Sequence, residues 1–123
     1  MKIGESAENY LETIYILANE KGSVRSIDIV HRLNYSKPSV SIAMKNLRES
    51  GYIQMADNGH ITLTDEGLRI ADDLYERHTV LSKALMQLGV DEDAAVRDAC
   101  RIEHVISRES FEAIKRKLDE EKS

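Results

Sequence analysis

Tryptophan is absent, phenylalanine and proline occur once each, and Cys100 is the single cysteine of the 123 residues. One cysteine cannot close an internal disulfide, which suits a reducing compartment. With one proline there are few obligate helix breaks, and the abundant Glu, Lys, Arg, Leu, Ala and Ile favour helix. No apolar run approaches the ~20 residues that span a bilayer. The opening MKIGESAENY lacks the apolar stretch of a secretory signal. The expectation is a cytoplasmic protein with no membrane partner. Hydrophobic residues are 41% and charged residues 32%, which excludes a disordered chain. The length fits one domain, or a small binding unit with a helical extension.

A net charge of −5 argues at first sight against a nucleic-acid partner, but its distribution changes that reading. Residues 20–50 hold six basic and three acidic residues, whereas residues 61–123 hold ten basic and fifteen acidic. A basic binding face followed by an acidic second module gives this asymmetry, as would a solvated surface of uneven charge.

Apolar periodicity predicts a helix over 6–20, with Ser6 as its cap and Lys21-Gly22 as its end. A short helix over 26–33, capped by Ser26, is followed by the turn NYS and a helix over 37–49. Val40, Ala43, Met44 and Leu47 form the buried stripe of that last helix, and Pro38 falls in its first turn, where a missing N–H costs little. Two short helices joined by a short turn are the helix-turn-helix pattern. YIQM and HITL are then two β-prone runs around DNG, a hairpin signal, so the hairpin is read as a wing. Thr64 caps a long helix over 65–88, Asp91 one over 92–106, and Ser107 one over about 108–120.

This predicts a mainly α protein with a small β-hairpin. A winged helix-turn-helix domain at 1–66 precedes a helical domain at 67–123. The helix at 37–49 would enter the major groove of double-stranded DNA. Ser36, Lys37, Ser39, Ser41, Lys45 and Arg48 are short or cationic enough to reach phosphates or base edges, and Pro38 and Ile42 suit thymine methyls. His31 and His60 read as surface or phosphate-contacting residues. The alternative is a winged fold that binds only protein.

DACRIEHVIS, residues 98–107, carries other chemistry. On a helix, Cys100, Glu103 and His104 share one face. Thiolate, carboxylate and imidazole together suit a borderline-soft divalent metal, and further ligands would come from elsewhere. His78 lies mid-helix, and Asn9 and Glu12 are spaced i, i+3 on the first helix. Spacing alone favours a plainer alternative, a small buried cysteine beside an exposed Glu-His pair. A catalytic Cys100-His104 pair lacks an orienting partner and a Gly-rich oxyanion loop, so no enzyme and no small-molecule substrate are expected.

ENYLETIY, YSKPSVSIAMKNLRESGYI, ITLTDEG, YERHTVL and ACRIEHVIS together resemble the metal-dependent repressors typified by the diphtheria toxin repressor and the manganese transport regulator. The resemblance implies a homodimeric, metal-activated repressor of metal-uptake genes that binds operator DNA, with 67–123 as its helical dimerisation and metal-binding domain. It implies a metal site of Glu12, His78, Cys100, Glu103 and His104, with Asn9 as a weaker amide donor where Asp or Met is usual. Ser36 and Pro38 match base-contacting positions of the family. Ser82 and Val96 stand where the iron-responsive branch has second-site ligands, and no SH3-like third domain is expected. Fe(II) and Mn(II) are the implied metals, with Zn, Co and Ni able to bind in vitro. A winged-helix regulator that does not sense metal is the alternative function.

Overall fold

The structure, a computed structural model, describes residues 3–122. Its elements are α1 (Glu5–Lys21), α2 (Ser26–Leu33), α3 (Lys37–Glu49), β1 (Ile53–Met55), β2 (Ile61–Leu63), α4 (Asp65–Gln87), α5 (Glu92–Ile102) and α6 (Arg108–Lys122). The chain divides into two compact units within α4, the first reaching Asp72 and the second starting at Asp73. No helix of the described residues is long and apolar enough to cross a membrane.

The first unit packs α1, α2, α3 and the hairpin around one core. Leu11 and Ile14 of α1, Ile29 of α2, Val40 and Met44 of α3, and Ile53 and Ile61 of the hairpin are all nearly sealed from solvent. Each such side chain contributes about 1.5–3 kcal/mol by burial. The α3 stripe is the predicted one, with Ala43 partly buried beside Val40, Met44 and Leu47.

β1 and β2 pair antiparallel, Gln54 opposite Thr62. Gly59 takes φ +88° in the turn between them, a conformation that favours glycine, and Asn58 Oδ1 accepts the His60 N–H at 3.1 Å. Ile61 N–H also donates to Val24 O at 2.8 Å, anchoring the hairpin to the segment before α2.

Two caps differ from expectation. α1 begins one residue earlier, with Gly4 at its cap and Ser6 inside the first turn. α2 is capped at Arg25, whose N–H donates to the Asp28 carboxylate at 2.9 Å, and Ser26 is the first helical residue. In both cases an acid in the first turn favours the start, Glu5 and Glu8 in α1 and Asp28 in α2. Ser36, Thr64, Asp91 and Ser107 do cap α3, α4, α5 and α6, each accepting an N–H two or three residues on.

α4 also starts against the wing. A Cβ on Gly67 would lie 2.1 Å from Tyr52 O, the same carbonyl that accepts the Thr64 N–H at 3.1 Å. Only glycine permits this approach of helix to strand.

In the second unit Leu74, Leu81, Ala95, Ala99, Phe111 and Leu118 are buried. Phe111 is completely enclosed, with the guanidinium groups of Arg77 and Arg108 at 5.5 and 5.9 Å from its ring centre. α5 ends at Ile102, four residues before the expected end. Glu103 keeps helical angles and donates its N–H to Ala99 O at 3.0 Å, but the chain then turns. β-branched Val105 and Ile106 follow, and Arg77 Nη1 takes the carbonyls of Glu103 and Ile106 at 3.2 and 2.9 Å. Those carbonyls are satisfied without further helix, and Ser107 starts α6.

Candidate metal centre and DNA-binding face

Three ligand-bearing side chains converge in the second unit. His78 projects from α4, Cys100 from the last turn of α5, and Glu103 from the residue that ends it. His78 Nδ1 is 3.7 Å from Cys100 Sγ and 3.3 Å from Glu103 Oε1. One ligand atom from each of the three lies within 4.8 Å of the others. Metal–ligand bonds of about 2.0–2.3 Å put donor pairs about 3–4 Å apart, close to the separations here.

Burial inverts the plainer reading of the stretch. Cys100 is exposed, whereas Glu103 is fully buried. Neither carboxylate oxygen of Glu103 has a hydrogen-bond partner. An ionised carboxylate in that state costs several kcal/mol unless a cation reaches it. His78 supplies a provisional cation. The close approach of Cys100, and next of Glu103, pushes the His78 imidazolium up to about 10 against the opposing effect of burial. The cluster therefore draws in positive charge, and a divalent metal would displace the His78 proton. Nitrogen, sulfur and oxygen donors together suit a borderline-soft transition metal, so the residues fit the ion.

The remaining candidate ligands are placed as follows. His104 sits half-buried in the turn after α5. It lies outside the trio of His78, Cys100 and Glu103, but one of its ring nitrogens comes within 4.8 Å of a Glu103 carboxylate oxygen. Glu12 and Asn9 belong to the first unit, one turn apart on α1, with Glu12 buried and Asn9 half-buried. Ser82 is buried on α4 and its hydroxyl has no hydrogen-bond partner, while Val96 is exposed on α5.

Sequence reading missed Arg77. Its side chain is 14% exposed and its Nε stands 3.3 Å from Asp73 Oδ2, without hydrogen-bonding geometry. Residue 77 falls between Leu74 and Leu81 at helical spacing, so a charge within an apolar stripe was the available signal.

The first unit presents the second face. Ser36, Lys37, Pro38, Ser39, Ser41, Ile42, Lys45 and Arg48 are all exposed along α3. Ser36 Oγ accepts the Ser39 N–H at 3.2 Å and donates to Ser39 Oγ at 2.8 Å. The first turn of α3 has no acidic residue, so its N-terminal dipole is left for an anion. Ile42 is 62% exposed, an apolar side chain on an otherwise polar face. Beside the wing, Arg48, Gln54, His60, Thr62 and Thr64 line a cleft of about 650 Å³. His31 is exposed and His60 half-buried.

Comparison with known proteins agrees with both faces. The family described as "Iron dependent repressor, N-terminal DNA binding domain" matches residues 2–61. "Iron dependent repressor, metal binding and dimerisation domain" matches residues 64–122. The transcriptional regulator MntR of Salmonella typhimurium is 38% identical over 109 residues, covering 89% of this chain and 69% of that protein. An uncharacterized HTH-type transcriptional regulator of Methanocaldococcus jannaschii is 31% identical over 115 residues, covering 92% of each. Among solved structures, a manganese-dependent transcriptional repressor in complex with manganese superposes with a TM-score of 0.82 at 30% identity, covering 92% of this chain and 52% of that one. The manganese regulator SloR gives a TM-score of 0.81 at 26% identity, covering 97% and 55%. The chain thus spans about half the length of these solved structures. With both halves of the family matched, over residues 2–61 and 64–122, this chain belongs to the iron-dependent repressor family.

Proposed function

We propose that the chain is a metal-activated, DNA-binding transcriptional repressor that works as a homodimer, with Fe(II) or Mn(II) as the activating ion and metal-uptake genes as targets. The fully buried Glu103 carboxylate, with His78 and Cys100 gathered beside it and no hydrogen bond to either oxygen, carries the reading. The relatives add support, since one is a manganese-dependent repressor in complex with manganese.

In this reading the division of labour falls at residues 66 and 67. His78, Cys100, Glu103 and His104 hold the ion from the second part, and Glu12, with Asn9 as a weaker donor, holds it from α1. Metal binding neutralises the carboxylates, releases protons, and couples α1 to α4 and α5. Ser36, Lys37, Pro38, Ser39, Ser41, Ile42, Lys45 and Arg48 face the operator. An apolar groove of about 340 Å³ between the end of α4 and α6, with Leu85, Leu88 and Ile114 on its walls, supports association with a second copy. Paired recognition helices must match a DNA turn of about 34 Å, so a small change in arrangement is felt strongly in affinity.

The test is anaerobic binding of the purified protein to a duplex selected with it from a random library in Mn(II). Affinity should be high in Fe(II) or Mn(II) and low in EDTA. Equal affinity in both would leave a winged-helix regulator that does not sense metal.

A further inference from the structure

The residue that ends α5 is gripped at both ends by consecutive residues of α4. His78 faces the Glu103 carboxylate at 3.3 Å, and Arg77 Nη1 donates to the Glu103 backbone carbonyl at 3.2 Å. The same Nη1 reaches Ile106 O at 2.9 Å, so one nitrogen spans the turn that carries Glu103, His104 and Val105. We propose that Arg77 is a positioning residue of the metal centre, fixing the turn that presents Glu103 to the ion. The proposal rests on the metal-binding reading above.

Arg77 is itself held from two sides. Asp73, one turn earlier on α4, stands against Nε at 3.3 Å, and the Phe111 ring lies under the guanidinium. Arg108 takes the other oxygen of Asp73 at 2.7 Å, so the carboxylate is fixed as well. A guanidinium held in this way keeps its fork in place with little entropy left to lose. Three features would fail together without it. The Glu103 and Ile106 carbonyls would lose their side-chain donor, the turn after α5 would gain freedom, and the Glu103 carboxylate would lose its aim toward His78 and Cys100. Glu103 needs this support more than most ligands, because no hydrogen bond orients its carboxylate. Outer groups that orient metal ligands are typically worth about 10–100-fold in metal affinity.

The test uses the whole chain, anaerobically, with Co(II) as the probe, read by its thiolate-to-cobalt charge-transfer band. Arg77→Met should weaken Co(II) binding by about 10–100-fold and alter the ligand-field spectrum. Arg77→Lys, which keeps the charge but offers a single nitrogen in place of the fork, should recover part of the loss. Leu118→Ala, a core truncation in the same unit, controls for lost stability. It should lower the melting temperature without changing the cobalt spectrum. In metal-free protein, amide exchange at Glu103 and Ile106 should quicken in Arg77→Met while the α6 amides hold. Wild-type Co(II) affinity and spectrum in Arg77→Met would overturn the positioning role. So would a loss of affinity in Leu118→Ala equal to that in Arg77→Met. The absence of any cobalt–thiolate band in the wild type would sink the metal reading instead, while the exchange measurement still reports whether Arg77 holds the turn.

Discussion

His78 Nδ1 stands 3.3 Å from Glu103 Oε1, and the carboxylate it faces is sealed from solvent. The two groups have opposite charge, and the carboxylate is buried without a hydrogen bond to either oxygen. The imidazolium offsets the buried charge only while it keeps its proton. A metal in that position would serve Cys100 as well, whose sulfur lies 3.7 Å from the same imidazole.

Cys100 should ligate through sulfur. X-ray absorption of the Zn(II)-loaded protein should show a sulfur neighbour at about 2.3 Å, absent from Cys100→Ser. The substitution should weaken Co(II) and Zn(II) binding more than Mn(II) binding, because thiolate favours the softer ions. Equal losses for Mn(II) and Zn(II) would remove sulfur from the site.

Lys45 is exposed on α3 next to Arg48 at one-turn spacing. Lys45→Ala should weaken DNA binding across all sequences and reduce the slope of log affinity against log salt by about 1. An unchanged slope would mean that Lys45 meets no phosphate.

Gly67→Ala should destabilise the first unit by about 2–4 kcal/mol, since its Cβ would press on the Tyr52 carbonyl and break the contact of α4 with the wing. Urea denaturation measures this. A loss under about 0.5 kcal/mol, the usual size for a neutral surface change, would show that the strand yields freely.

Asp28 gives the fold an acid limit. A hydrogen bond from Lys21, and then one from the Arg25 backbone N–H, hold its carboxyl below the ordinary aspartate range. A lowered folded pKa gives stability that is present above the unfolded pKa and is lost as pH falls through the folded one. Asp28→Asn should therefore be less stable at neutral pH and show a shallower loss on acidification below about pH 4. Parallel acid profiles for the two proteins would contradict this role.

Local signals carried most of the fold. The α3 stripe, the DNG turn and the caps at Ser36, Thr64, Asp91 and Ser107 depend on neighbours in the chain, and the structure shows each of them. What depends on distant partners was not legible. Gly67 is fixed by a carbonyl fifteen positions earlier in the chain, and the α5 terminus by a guanidinium on α4. For the site, helical spacing grouped Cys100 with Glu103 and His104. The structure brings His78 to Cys100 and Glu103, and keeps a His104 ring nitrogen within 4.8 Å of a Glu103 carboxylate oxygen. Family resemblance had already brought His78 forward. Exposure was read the wrong way round by spacing, which has no means to tell that residue 103 turns inward where the helix stops.

The most direct test of the account is Glu103→Ala, assayed for binding to the selected duplex in Mn(II) or Fe(II) and in EDTA, with circular dichroism as the check on folding. The wild type should bind far more tightly with metal than without, while the variant stays folded and binds equally weakly in both. A folded Glu103→Ala protein that still tightens on DNA when metal is added would contradict the assignment of the metal switch to this carboxylate.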